Sequence, residues 1–387
     1  MNQPVSSRIR VMRIIARMNV GGPAVQVSGL MRGFNTDEFE HRLYTGYCAV
    51  NEADYLETNA TDVDALRISG FGRRINFIGD MRAFFILVKE IQTFKPHIIH
   101  THTAKAGFLG RVASIVSCHK SIRVHTFHGH LLNGYFGLFK RSLIIFAEVF
   151  LSRFTNQLLA VGHQVREDLL HAGIGTIEKF GIMPPGLSIT HLPKRNEALK
   201  ILGLQNGYLH CAFIGRVTQI KRPDRFLDVV SELQNRGVKL HFLIAGDGEL
   251  LESCRKRISD ENLPVKILGW CNDIEKVLSA ADIVALTSDN EGTPLCLIQA
   301  GMAGLPVVAT NVGSVSDVVL SDITGIITSL EVMEIANALE RLANNKSLRI
   351  RLGDKAKEFT LAHFGVERLV HDHEALYMHL LSNQANS

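Results

Sequence analysis

Residues 287–313 read TSDNEGTPLCLIQAGMAGLPVVATNVG, and the reading of this stretch decides the fold. The apolar run ADIVALT (281–287) predicts a buried strand, Asp289, Asn290, Glu291 and Gly292 a turn, and Pro294 the first helical position, where a missing N–H costs nothing. Gly304 closes that helix, and PVVAT (306–310) predicts the next buried strand. A turn between a parallel strand and its helix lies at the carboxyl end of the strand, where open α/β sheets bind ligands. Glu291 then faces a ligand from the turn. Gln299, eight positions on and near two helical turns further, lies on the same helix face.

On these residues the sequence resembles glycosyltransferase family 4 (glycosyl transferases group 1), retaining GT-B enzymes whose hallmark is two glutamates separated by seven residues. Glu291 fills the first position; Gln299 stands at the second, where the resemblance implies a contact to ribose hydroxyls. Glutamine keeps one acceptor oxygen and loses the charge. The resemblance implies two Rossmann-like doubly wound parallel-sheet domains facing a cleft. It also implies sugar transfer, by front-face attack and without a metal or other cofactor, from a nucleoside-diphosphate donor, UDP-sugar favoured, to a glycan or polyprenyl-linked acceptor of cell-envelope synthesis.

Composition bounds the alternatives. At 387 residues the chain is too long for one ordinary core and suits two domains. Its six cysteines form no C-x-x-C, which reads as reduced thiols in a cytoplasmic protein. Arg10, Arg13 and Arg17 break any apolar core of a signal peptide, and SLIIFAEVFL (142–151) is far short of the ~20 residues of a membrane span. Charge is uneven: residues 1–185 carry 21 Lys and Arg against 14 Asp and Glu, and no carboxylate stands between Glu90 and Glu148, an interval with seven Lys or Arg and seven His. A surface so depleted in carboxylates predicts an anionic partner, phosphate or lipid headgroup. Without aromatic-interleaved recognition motifs, nucleic acid is not expected.

The rest of the chain alternates strand and helix patterns, which predicts doubly wound parallel sheets. RVMRIIARM (10–18) is a buried strand running into Gly21 and Gly22, whose backbone lets a ligand approach a helix N-terminus. HRLYTGY, RINFIG, HIIHTH, SIRVHTF, NQLLAV and KFGIM read as further short apolar runs, and 51–69 is polar and undecided. Two histidine clusters end successive strands, His100-Thr-His102 and His125-Thr-Phe-His128-Gly-His130. They invite zinc by type, but no carboxylate or thiolate lies nearby in sequence to complete a site, so polar contact is the better reading. The resemblance gives His128 the donor sugar and places the Gly21–Gly22 loop beside the donor phosphates and acceptor; His102, Lys105 and His130 are candidate acceptor contacts. The helical pattern 136–154 has two open readings, a buried crossover or an interfacial helix resting on the inner face of the cell membrane. Prolines 184, 185 and 193 mark a linker, giving domains at 1–185 and 186–365; the resemblance implies that a final helix, 366–387, packs back on the first.

After the strand YLHCAFIG comes GRVTQIKRPDRFL, in which Arg216 and Lys221 flank a loop leading into a helix and can meet one diphosphate. The pattern matches the family's donor-pyrophosphate signature, beginning at Gly215. By the same resemblance, backbone around Trp270 and Cys271 reads the nucleobase, and Gly292 and Thr293 add N–H groups to phosphate or sugar; Trp270 also fits a core anchor. Two other functions are compatible with this pattern: a GT-B-type UDP-sugar 2-epimerase, disfavoured by the acid-free interval, and a non-catalytic nucleotide-binding scaffold, which Gln299 permits.

Overall fold

The computed structural model describes residues 8–50, 52–72, 75–129, 138–189 and 191–385. The chain divides into two compact units, Met1–Gly186 with Val366–Ser387, and Leu187–Gly365. In the first unit β1 (Ile9–Ile15), β2 (Phe39–Thr45), β3 (Leu66–Arg67), β4 (Ile98–His102), β5 (Ile122–Phe127), β6 (Gln157–Ala160) and β7 (Phe180–Ile182) form a parallel sheet in the order β3-β2-β1-β4-β5-β6-β7. Its helices are α1 (Gly22–Gly33), α2 (Tyr55–Thr58), α3 (Phe77–Phe94), α4 (Ala104–Val116), α5 (Leu138–Arg153) and α6 (His163–His171).

Strand order reverses at β1, so right-handed crossovers put α1 on one face and α3, α4 and α5 on the other. The alternation of β1 records it: Val11 packs with Leu30 of α1 and with Phe34 just after it, whereas Met12 and Ile14 pack with Leu87 and Ile91 of α3. One expectation fails here. RINFIG is not a strand, because Asn76 caps α3, its side chain accepting from the Gly79 N–H at 3.2 Å, and the apolar residues behind it are the helix's first turn. The strand β3 lies instead within the undecided polar stretch.

The second unit repeats the plan. Strands β8 (Leu209–Ile214), β9 (Leu240–Ala245), β10 (Val265–Gly269), β11 (Ile283–Leu286), β12 (Val307–Thr310) and β13 (Gly325–Thr328) lie in the order β10-β9-β8-β11-β12-β13, all parallel. Around them stand α7 (Arg195–Ile201), α8 (Pro223–Asn235), α9 (Leu251–Asp260), α10 (Ile274–Ala280), α11 (Leu295–Met302), α12 (Val315–Val318), α13 (Val332–Asn344) and α14 (Lys346–Phe364). Pro294 is the residue before α11 rather than its first residue, held extended at φ −74°, ψ 107°, and Gly304 ends the helix in the left-handed region at φ 76°.

The last helix, α15 (Val366–Ala385), belongs to the first unit and lies along α1. The approach is close: a Cβ on Gly33 would stand 2.3 Å from Val370. Arg368 fastens the helix start by donating to the carbonyls of Pro184 and Pro185 at 2.8 and 3.0 Å.

The helix read at 136–154 is not wholly buried: α5 buries Glu148, Leu151 and Ser152 and leaves Leu143, Phe146 and Phe150 exposed. Glu148 points inward because the Arg111 guanidinium, buried in α4, donates to both its oxygens at 2.6 and 2.7 Å. Nor is the carboxylate-free interval the uniformly basic surface its composition predicts. His100, His102, His125 and Arg111 are buried, and Lys105 is paired with Asp80 at 2.5 Å.

Candidate functional site

In the second unit the loops after β8 and β11 carry the chemistry. The turn following β11 is fixed before its side chains are considered: Thr310 donates through Oγ1 to the Ser288 carbonyl at 2.8 Å, and the Asp289 N–H reaches the Ile220 carbonyl at 2.9 Å. Arg225, buried at the start of α8, donates to the Thr287 carbonyl and to Asp289, both at 2.7 Å. Gly313 must be glycine: its φ is 53° and a Cβ would stand 1.8 Å from the Glu291 carbonyl oxygen. Arg222, also left-handed at φ 52°, pairs with Asp224 and Asp289. These two arginines bind the two loops into one body and leave Lys221 aimed at Glu291.

The Lys221 ammonium stands 2.5 Å from Glu291 Oε1, which also accepts from Ser288 Oγ at 2.5 Å. Burial disfavours the ammonium, but the adjacent Glu291 carboxylate outweighs it, so the Lys221 pKa is raised and the side chain is firmly cationic. Arg216 is exposed and near enough for its charge to act on Lys221 in the opposite sense. Gly215 lies beside the same lysine, its ideal Cβ position 3.9 Å from Lys221 Cε. Residues 215, 216, 221 and 291 therefore share one locality. Two members were not singled out from sequence: Ser288, and Cys296 in the first turn of α11, whose thiol is pushed up to about 11 by burial and stays neutral beside the ion pair. Ser288 stood inside the decisive stretch, but only the closed turn shows that its hydroxyl reaches Glu291.

The other candidates in this unit sit around that pair. Gln299 lies on the second turn of α11, half-buried. The Gly292 carbonyl accepts from the Ser314 N–H at 3.3 Å, and Thr293 lies between that turn and α11. Trp270 is no core anchor: its side chain is exposed and its indole N–H donates to Asn272 at 2.5 Å. Cys271 beside it is half-buried, its thiol 3.6 Å from the Gly269 carbonyl.

In the first unit, α1 begins at Gly22 behind Gly21, with Pro23 in its first turn. At the carboxyl ends of β4 and β5 the His102 Nδ1 and His128 Nε2 atoms are 2.9 Å apart. Burial holds the His128 pKa down to about 3 and His102 well below its ordinary value, so the pair is neutral and shares one proton. His102 stacks on His100 at 4.3 Å between ring centroids. His100 Nδ1 lies 2.6 Å from the Tyr377 hydroxyl of α15 and 3.3 Å from the Arg13 guanidinium. Arginine only donates, so His100 Nδ1 accepts and its Nε2–H donates to Thr126 Oγ1 at 2.7 Å. The histidine set is thus a buried ladder tied to the last helix, with His128 at its end. Lys105, at the start of α4, pairs with Asp80 at 2.5 Å. His130 falls outside the described residues.

The comparisons with known proteins agree with this architecture. Residues 194–359 match the model described as glycosyl transferases group 1, and residues 20–190 the model described as glycosyltransferase family 4. The chain is 27% identical over 341 residues to the UDP-Gal:alpha-D-GlcNAc-diphosphoundecaprenol alpha-1,3-galactosyltransferase of Escherichia coli, covering 86% of this chain and 87% of that protein. Among solved structures it is similar to HepE of Anabaena in complex with UDP-glucose, with TM-score 0.80 and 19% identity, covering 97% of this chain and 99% of the other. It is also similar to the sucrose-phosphate synthase of Thermosynechococcus elongatus, with TM-score 0.82 and 17% identity, covering 97% of this chain and 100% of the other. At these identities the structural likeness speaks for the fold, which is GT-B. Two parallel-sheet units, the matched models that span both, and the similar transferase together show that this chain belongs to glycosyltransferase family 4, the group 1 glycosyltransferases.

Proposed function

We propose that this glycosyltransferase moves a hexosyl or N-acetylhexosaminyl group from a UDP-sugar to a lipid-linked glycan of the cell envelope, with retention at the anomeric carbon. The observation that carries the proposal is the Lys221–Glu291 pair with Ser288, beside Arg216, at the carboxyl end of the second sheet. In this reading Lys221 and Arg216 hold the diphosphate, Glu291 accepts from sugar hydroxyls, and Gly292 and Thr293 offer backbone N–H groups. The bond from the anomeric carbon to the diphosphate oxygen breaks as the acceptor oxygen bonds that carbon from the same face. The acceptor proton passes to the departing diphosphate. Charge on the leaving group meets two cations, so the reaction runs without a divalent metal. His128 contacts the donor sugar, and the neutral His102 orients it.

UDP is supported by the nucleotide named in the HepE complex, and the lipid carrier by the diphosphoundecaprenol acceptor named for the similar E. coli enzyme. Such a carrier places the reaction on the cytoplasmic face of the membrane, with the protein held there peripherally; among the described residues no helix is long and apolar enough to cross it.

The test is nucleotide release from a panel of UDP-, GDP- and ADP-sugars, with and without a synthetic polyprenyl-diphosphate-linked sugar and with and without a chelator. UDP release that needs the acceptor, ignores the chelator and yields a product with the donor's anomeric configuration supports the proposal. An isomerised donor without release identifies an epimerase, and no turnover a nucleotide-binding scaffold.

A further inference from the structure

The helix layer of the first unit that faces away from α1 shows an apolar surface that the chemistry above does not use. Phe77, Ile78 and Phe85 of α3 are 78%, 80% and 62% exposed, and Leu143, Phe146 and Phe150 of α5 are 62%, 72% and 51% exposed. They recur at helical spacing on each element, 77, 78 and 85 on one and 143, 146 and 150 on the other, so each set forms a stripe. Between them runs α4, which packs on both helices and exposes Phe108. Solitary exposed apolar residues are ordinary on a protein surface, whereas a stripe on each of two helices is not.

Charge says what covers this surface. From residue 75 to residue 155 the sequence has ten Lys and Arg against three carboxylates. Each of the three is engaged: Asp80 by Lys105, Glu90 by the Tyr44 hydroxyl at 2.9 Å, and Glu148 by buried Arg111. Arg82, Lys89 and Arg153 remain exposed on the same two helices. Aromatic stripes flanked by cations, with every carboxylate engaged elsewhere, match the headgroup boundary of an anionic bilayer, where rings enter the acyl edge and cations meet phosphates. The placement agrees. Helices following parallel strands start at the strands' carboxyl ends, so Phe77, Ile78 and Leu143 lie toward the end of the sheet that carries His102 and His128.

We infer that the α3–α4–α5 face is a docking surface for an anionic lipid bilayer. This deepens the proposed function and rests on it for its purpose, since a lipid-borne acceptor is then presented at the histidine end of the sheet. The binding itself is measurable without turnover.

The test floats the full-length protein with vesicles of equimolar phosphatidylglycerol and phosphatidylethanolamine, and separately with phosphatidylcholine vesicles. The wild type is expected to rise with the anionic vesicles only, and the Phe77→Ser/Phe146→Ser variant to lose at least about tenfold in partitioning. Met333→Ser, an exposed change in the second unit, should float as the wild type does. Both rings are surface residues, so the double variant is expected to keep its melting temperature. Wild type left behind by anionic vesicles, or a double variant that floats undiminished, overturns the inference. So does a dimer in light scattering that the double variant converts to monomer while flotation is unchanged, because the occupant is then a second copy. Acceptor-dependent UDP release, measured on the same samples, decides the proposed function separately from these outcomes.

Discussion

Gln299 is where a single atom separates this chain from the pattern it resembles. A hydrogen bond to a carboxylate contributes about 1.5–3 kcal/mol and a neutral one about 1 kcal/mol, so in the proposed ribose contact the amide would forfeit about two- to thirtyfold in nucleotide affinity while keeping an acceptor. Gln299→Glu is therefore expected to bind UDP as tightly as the wild type or up to about thirtyfold more tightly in calorimetry; abolished binding would remove Gln299 from the nucleotide site. Glu291 differs in kind. With Lys221 2.5 Å away and Ser288 donating to the same oxygen, its Oε1 is fixed in place. Among the histidines the partners fix the roles: Arg13 forces His100 to accept at Nδ1, and the shared proton at 2.9 Å aligns His128 on His102.

Between elements, a bidentate Arg111–Glu148 bridge fastens α4 to α5 in the first unit, with both side chains almost wholly buried. Removing one partner strands a buried charge, so Arg111→Met is expected to cost about 3–5 kcal/mol. Arg111→Met combined with Glu148→Leu should recover most of that loss in chemical denaturation; a double variant as unstable as the single one would contradict the joint's description. That bridge also explains what the sequence conceals. The strand runs HIIHTH and SIRVHTF and the strand–turn–helix at 281–304 were legible because short apolar runs between turn signals have few alternatives. RINFIG misleads because a helix's first exposed turn looks like a short strand until its Asn76 cap is counted. The histidine interval reads as surface because parallel strands bury both faces, so alternation carries no sign of inside or outside. One group that satisfies it, Tyr377, comes from the last helix, 277 residues from His100. Of the candidate site, the Arg216, Lys221 and Glu291 grouping was legible through motif spacing; the Ser288 hydroxyl and the Cys296 thiol beside Lys221 needed the closed turn.

At the scale of the molecule, the first unit stores neutral imidazoles and the second stores an ion pair. Burial lowers the pKa to about 2 for His41 and to about 3 for His128 and His373, below the unfolded value near 6.5. Between those limits the unfolded chain binds more protons than the folded one, so stability is full above pH ~6.5 and falls as pH drops toward ~3. Each such histidine contributes up to about 1.4 kcal/mol per pH unit in that window. Calorimetry from pH 7 to pH 5 should show the transition of the first unit moving down further than that of the second; equal displacement of both would mean these histidines are hydrated and charged. The account as a whole rests on Arg216 and Lys221 gripping the diphosphate of the donor. A crystal structure with bound UDP measures that most directly. The expected result places phosphate oxygens about 2.7–3.2 Å from both the Lys221 ammonium and the Arg216 guanidinium; a diphosphate bound out of reach of both would contradict it.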